Sequence, residues 1–277
     1  MNWITNSNTI IFNYDFNTHL DLELISGYQN IIFSDYELDE KLFEYYTNAD
    51  LKNLTYHSNR FEGSEFNQDI SNLPLTLNHL TFGYWFNQEI SELPSSLIFL
   101  RFGERFNQDI SELPSSIIYL IFGDGFNQDI SKLPSSLTYL IFGRYFNQNL
   151  CTLPQGITHL IFGQCFNQRY DVPTNIKYLK FDCEENSYVI NSLPNSITEL
   201  ELGYHFNSEI NNLPTSIKKI IIRKYSYFDQ ELNCLPNSVE ELQLNDIYQL
   251  PILNIPPNLK KLICHKNYPH INDFTMC

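Results

Sequence analysis

Positive charge is what this chain has least of. Its 277 residues hold 17 Lys and Arg against 32 Asp and Glu, a formal net charge of −15. Nucleic acids are held mainly by basic side chains that neutralise phosphates, so the expectation is no nucleic-acid partner, and no anionic membrane surface either. Alanine occurs once, at Ala49, and valine three times. Phe and Ile supply much of the apolar material instead, a bias that an AT-rich coding sequence produces and that carries no mechanism. No window approaches the roughly eighteen apolar residues of a membrane span. The opening MNWITNSNTIIFNYDF lacks the basic segment of a secretory signal.

Six cysteines (Cys151, Cys165, Cys183, Cys234, Cys264, Cys277) lie far apart with no CxxC pair. That argues against a disulfide framework and for a reducing cytoplasm. Nucleophile-elbow, zinc-protease, P-loop and dinucleotide fingerprints are all missing. The seven histidines are scattered, and His79 and His159 hold equivalent places in a repeat, so periodicity accounts for them. The expectation is a protein that is not an enzyme and uses no cofactor and no metal.

What the chain has is repetition. The triplet FNQ opens at Phe66, Phe86, Phe106, Phe126, Phe146 and Phe166, twenty residues apart. Prolines recur with it at Pro74, Pro94, Pro114, Pro134, Pro154, Pro173, Pro194, Pro214, Pro236 and Pro256. Ten units of one structure are implied, because such a period marks a stack of repeats. In the unit LPSSLTYLIFGRYFNQNL, Leu140 and Phe142 alternate with Tyr139 and Ile141, the period of a strand. Gly143 ends that strand, and the apolar spacing then widens without any helical stripe. Proline on the return leg fixes an extended bend. Stacked turns put the FNQ phenylalanines and Phe206 in one internal column and the asparagines in another, where amides satisfy backbone groups from turn to turn.

The pattern LPxSLxxLxFGxxFNQxI resembles the FNIP repeat, a member of the leucine-rich-repeat superfamily found in social amoebae and in giant DNA viruses of amoebae. The resemblance covers roughly residues 53–264. It implies a mostly β, leucine-rich-repeat-like, right-handed solenoid of about ten 20-residue turns. Each turn would give one strand to a parallel sheet, with little helix. By analogy it also implies a protein or peptide partner and, for a viral chain, that the cytoplasm is the host's. Viral relatives often carry an F-box ahead of the repeats to recruit ubiquitin-ligase machinery. Residues 1–52 lack the Leu-Pro start and helical pattern of an F-box. They read as a cap, with strand-like pieces at TIIF (9–12) and NIIF (30–33), a further one at NLTY (53–56), and a short helix at DEKLFEYY. Residues 265–277 read as a C-terminal tail.

Outward strand positions offer the binding surface. One row runs His79, Phe99, Tyr119, Tyr139, His159 and Tyr178, then Glu199, Lys219, Glu241 and Lys261. Its neighbour runs Thr81, Arg101, Ile121, Ile141, Ile161, Lys180 and Glu201, then Ile221, Gln243 and Ile263. The charged half reads as cross-strand ion pairing. Phe99, Arg101, Tyr119, Ile121, Tyr139, Ile141, His159 and Ile161 are the candidate partner-binding residues, expected to expose a patch of several hundred Å². Cross-strand packing is the competing account of the same residues. An acid column, Asp69, Glu89, Asp109 and Asp129, could hold cations or cap its own corners, and Asn149 and Arg169 interrupt it. A structural or self-associating protein, joined through an open end or as a homodimer, is the alternative function.

Overall fold

The computed structural model describes residues 2–35, 63–150, 153–183 and 187–274. Two compact units divide the chain, Met1–Leu137 and Thr138–Cys277. In the first, β1 (Trp3–Thr5) and β2 (Thr9–Phe12) form an antiparallel hairpin. From β2 onward the strands are parallel and consecutive: β3 (Asn30–Phe33), β4 (His79–Thr81), β5 (Phe99–Arg101) and β6 (Tyr119–Ile121). One helical turn, α1 (Leu22–Ile25), is capped by the Asp21 side chain and joins β2 to β3. The second unit is a parallel run of β7 (Tyr139–Ile141), β8 (His159–Phe162), β9 (Tyr178–Phe181), β10 (Glu199–Leu202), β11 (Lys219–Ile222), β12 (Glu241–Gln243) and β13 (Lys261–Ile263). A single turn of helix, α2 (Ser187–Ile190), stands between β9 and β10.

Strands β4 to β13 follow the ten repeat prolines one for one, so the solenoid of short parallel strands is as the period implies. TIIF and NIIF are β2 and β3, strands of the same sheet rather than helices of an adaptor domain. The pieces NLTY and DEKLFEYY lie outside the described residues. At the sheet's first edge the Trp3 ring stands edge-on to Phe12, 6.2 Å between centroids, and covers the first apolar layer.

Each proline opens a tight turn into its strand. Its carbonyl accepts the N–H three residues on, as in Leu97 to Pro94 (3.1 Å) and Ile117 to Pro114 (3.3 Å). Pro therefore stands at the first position of a β-turn. The second serine of LPSS ties that turn to the one before. Ser116 Oγ donates to Leu97 O at 2.6 Å, and Ser216 Oγ to Ile197 O at 2.7 Å.

The core is two ring columns per stack. In the first unit Phe16, Phe66, Phe86, Phe106 and Phe126 repeat at 6.0–6.2 Å. Beside them, Phe33, Phe82, Phe102 and Phe122 repeat at 5.6–5.9 Å, and each turn's two rings lie 3.7 Å apart in Phe82–Phe86, Phe102–Phe106 and Phe122–Phe126. In the second unit Phe146 and Phe166 repeat at 6.2 Å, and Phe206, Phe228, Tyr248 and Tyr268 form a further run at 6.1–6.4 Å. The tyrosines turn their hydroxyls to backbone carbonyls, Tyr248 to Gln230 and Tyr268 to Leu250. Their burial raises both phenols, Tyr268 to about 12.

The asparagine column is present, with one correction. Asn87, Asn107 and Asn127 N–H groups donate to the Oδ1 of the Asn one turn earlier, at 2.8–2.9 Å. Gln108 and Gln128 Nε2 donate to the carbonyls of the same Asn residues, at 3.0 and 3.1 Å. These amides are half-exposed or exposed rather than buried, because only Phe and the following Ile of each FNQxI point inward. Water can therefore replace part of each bond. Asn107→Ala is expected to cost about 1 kcal/mol, read as a shift in the urea midpoint with unchanged slope.

Candidate functional site

Among the candidate binding residues, the structure separates the two outward rows. Rings of the first row stack on one another in register. In the first unit His79 lies 4.1 Å from Phe99, and Phe99 6.1 Å from Tyr119. In the second, Tyr139 lies 4.0 Å from His159, and His159 5.7 Å from Tyr178. Phe99, Tyr119, Tyr139 and His159 are half-exposed. Cross-strand stacking is thus real, and it leaves one edge of each of these rings at the surface.

The second row is a correction. Arg101, Ile121, Ile141 and Ile161 are buried, at 3%, 2%, 7% and 5% exposure, so the wide patch expected from both rows is not open. Strands of three or four residues are narrow, and the rows on either side close over the middle one. Stacked rings flank it before, and corner residues flank it after. Around Arg101 those neighbours are His79 and Glu104, which sense its charge. Burial and then Arg101 push the His79 imidazole down to about 4, so it is neutral at physiological pH. Its Nε2 lies 3.0 Å from Thr81 Oγ1.

Sequence reasoning missed the row that is open. Ile98, one residue before β5, is 40% exposed, and Ile118 before β6 is half-exposed. Strict alternation would turn residue 98 inward with Leu100. The turn that starts at Pro94 instead sends both Ile98 and Phe99 outward, while Leu97 is buried. The available patch of the first unit is therefore Ile98, Phe99, Ile118 and Tyr119.

The second unit's face closes on its own charges. Glu201 is 6% exposed, accepts the Tyr178 hydroxyl at 2.7 Å and Arg223 Nε at 2.8 Å, and has Lys180 Nζ at 3.3 Å. Burial pushes the Lys180 ammonium down, and Glu201 opposes it. Burial would raise the Glu201 carboxyl, but Lys180, the Tyr178 hydroxyl and Arg223 together hold it below the usual range. Glu199, Lys219, Glu241 and Lys261 pair in sequence at 3.2, 3.8 and 3.8 Å, as the alternating signs foretold.

The corner after each strand carries a second kind of residue. Asp35, 5% exposed, accepts the N–H groups of Ser64 and Tyr84 at 2.8 and 2.7 Å. Glu104 Oε2 accepts the Asp124 N–H at 2.8 Å. Burial, then Asp124 and Asp35, push the Glu104 carboxyl up to about 7. A carboxyl raised in the folded state binds its proton more tightly there than in the unfolded chain. Its contribution is therefore present below pH about 4.5 and is lost as pH rises towards 7. Glu104→Gln is expected to match the wild type at pH 4.5 and to exceed it at pH 8 by on the order of 2 kcal/mol after solvent screening. Urea midpoints of both proteins at the two pH values check this.

Asp69, Asp109 and Asp129 serve their own corners. Each accepts the backbone N–H and the hydroxyl of the serine two residues on, as Asp109 does from Ser111 at 3.0 and 2.8 Å. Those bonds hold the three carboxyls below their ordinary range. This is the capping role.

Comparison with known proteins agrees with the geometry. The FNIP Repeat model matches residues 66–105, 86–124, 106–145, 126–165, 146–184, 185–225 and 228–267. Among solved structures, the chain is similar to CroV588, described as a novel circular leucine-rich-repeat protein, at 28% identity and a TM-score of 0.74. That likeness covers 97% of this chain and 42% of CroV588. It is also similar in fold to the functional domain of InlJ from Listeria monocytogenes, at 13% identity and a TM-score of 0.50, over 72% of this chain and 46% of that one. The chain thus spans less than half the length of either. No curated protein matches it. The scaffold is a repeat of the leucine-rich-repeat type, and no catalytic family is indicated.

Proposed function

Because the chain belongs to the FNIP repeat family, a fold that presents one sheet face to its surroundings, we propose that it is a non-catalytic scaffold that docks a protein or peptide on the sheet face of its first unit. One observation carries this reading: Ile98, Phe99, Ile118 and Tyr119 keep apolar surface exposed, although the repeated Phe, Ile and Leu residues around them are almost wholly buried. Aromatic and aliphatic side chains held in place by their neighbours bind at low entropic cost, which is the character of interface hot spots.

The test is capture of partners by the wild type and by an Ile98→Ser, Phe99→Ser, Tyr119→Ser variant. Ile121 is left in place because it is buried. The variant is expected to recover its partners at least about tenfold less well while keeping its far-UV spectrum. Equal recovery would end the reading.

Self-association has one observation in its favour. Strand β13, last in order among the described strands, carries Ile263 at 43% exposure, and Leu253 on the leg before it is 73% exposed. An edge of this kind can pair with another chain, although Lys261 at the start of β13 discourages pairing. Light scattering decides: a mass of 32.6 kDa that does not change with concentration rules out a homodimer.

A further inference from the structure

Acidity is not shared evenly between the two units. Residues 1–137 carry 6 Lys and Arg against 19 Asp and Glu, a net −13, while residues 138–277 carry 11 against 13, a net −2. The unit with the open apolar row is therefore the unit with almost all of the negative field. A charge of this size steers oppositely charged partners and selects against acidic ones.

Within the first unit the two features lie at opposite ends of the same short strands. Ile98, Phe99, Ile118 and Tyr119 are at the start of β5 and β6, and Glu104 and Asp124 form the corners after them. Arg101 is buried, and Glu104 senses its charge together with those of Asp124 and Asp35. Glu104 and Asp124 are half-exposed, so a cation arriving from outside can reach them. It would relieve the mutual repulsion that crowds these carboxyls. In the second unit the face is occupied by Glu201, Lys180, Arg223 and the ion-pair row.

Resting on the reading that this face docks a protein, we propose that the occupant is an extended basic segment laid along β5 and β6. Its apolar side chains sit on the Ile98–Tyr119 row, and a Lys or Arg about three to four residues further on reaches the Glu104–Asp124 corner. That spacing follows from the rise of an extended chain, about 3.3 Å per residue, against the length of a three-residue strand plus its corner. Apolar contact supplies the hold and the corner supplies direction and selectivity.

The test uses fluorescein-labelled peptides of about twelve residues with the same Leu and Phe positions and net charges of about +5, 0 and −5. Each is titrated against the full chain by anisotropy, at about 50 and 300 mM NaCl. The basic peptide is expected to bind at least about tenfold tighter than the neutral one, and to lose about tenfold at the higher salt. Glu104→Gln with Asp124→Asn is expected to weaken it about fivefold. Glu92→Gln with Glu112→Gln, the same charge change at exposed sites on the return legs, is expected to alter it less than about twofold. Equal loss in the two pairs would mean general attraction to an acidic chain, and would overturn the proposal. Failure of the basic peptide to bind would overturn it too. Basic and neutral peptides binding alike, with Ile98→Ser and Ile118→Ser still weakening both, would leave the docking face standing and remove the basic occupant. Affinity unchanged in the Ile98→Ser, Ile118→Ser variant would remove the docking face itself.

Discussion

Gly103→Ala is expected to destabilise the protein by about 3 kcal/mol or more, a large loss for one methyl group. Conformational freedom is not the reason, since no glycine among the described residues has a positive φ. The reason is the approach of successive turns. A Cβ built on Gly103 would fall on the carbonyl of Gly83, and one on Gly123 would fall on the carbonyl of Gly103. In the second unit Gly163 meets Gly143 in the same way. These obstacles are backbone atoms, so no side chain can swing aside, and the turn must lift off its neighbour. Lifting it also loosens the hydrogen bond from the Arg105 N–H to the Tyr84 carbonyl, now 3.0 Å. Gly27→Ala is the control, because nothing lies within 4 Å of its Cβ position. That change is expected to be neutral or slightly stabilising through the unfolded state. Urea midpoints for both variants check the contrast, and comparable small shifts would show that the glycine column does not set the stacking distance.

Phe106→Ala is the second large effect, at about 3–5 kcal/mol. Phe106 is fully buried and touches rings on three sides: Phe102 at 3.7 Å, Phe86 at 6.2 Å and Phe126 at 6.1 Å. Removing it leaves a void that neither adjacent turn can fill, because each is held by its own glycine and amide contacts. In a stack whose stability is the sum of turns and of the interfaces between them, one void weakens two interfaces. Phe106→Leu, which refills part of the space, is expected to recover about half of the loss. Denaturant unfolding followed by near-UV circular dichroism reads this directly. A cost below about 1 kcal/mol would mean that the ring columns are passengers.

Much of this was legible in the letters. The period places ten strands after ten prolines, and the FNQ phenylalanines and asparagines do stack in columns. Alternation correctly put Arg101 and Ile121 on the side of the sheet away from the ring core. It could not say that they are covered, because coverage depends on neighbouring rows, which one strand's pattern does not contain. Ile98 was lost for the opposite reason: the turn at Pro94 breaks the alternation before β5 begins. The ring column was followed only to Phe206, since the spacing drifts after it and Tyr replaces Phe at Tyr248 and Tyr268. Gln108 and Ser116 look like generic polar letters, and only the stacked turns show the carbonyls they serve. The charge asymmetry was countable from the start, but a single net value conceals it.

The bonds that the Asn, Gln and Ser side chains make between the FNQ turns run in one direction. Asn107 N–H, Gln108 Nε2 and Ser116 Oγ each donate, and the acceptor is always on the preceding turn: Asn87, Asn87 again, and Leu97. A completed turn thus displays a row of such acceptors to whatever comes next, while its strand N–H groups, as Phe102 to the Ile121 carbonyl at 2.8 Å, are satisfied only by that next turn. A chain that leaves its ribosome N-terminus first meets those rows in the order in which it can use them. The FNQ ladder is therefore also a mould, in which each turn is cast against the one already set.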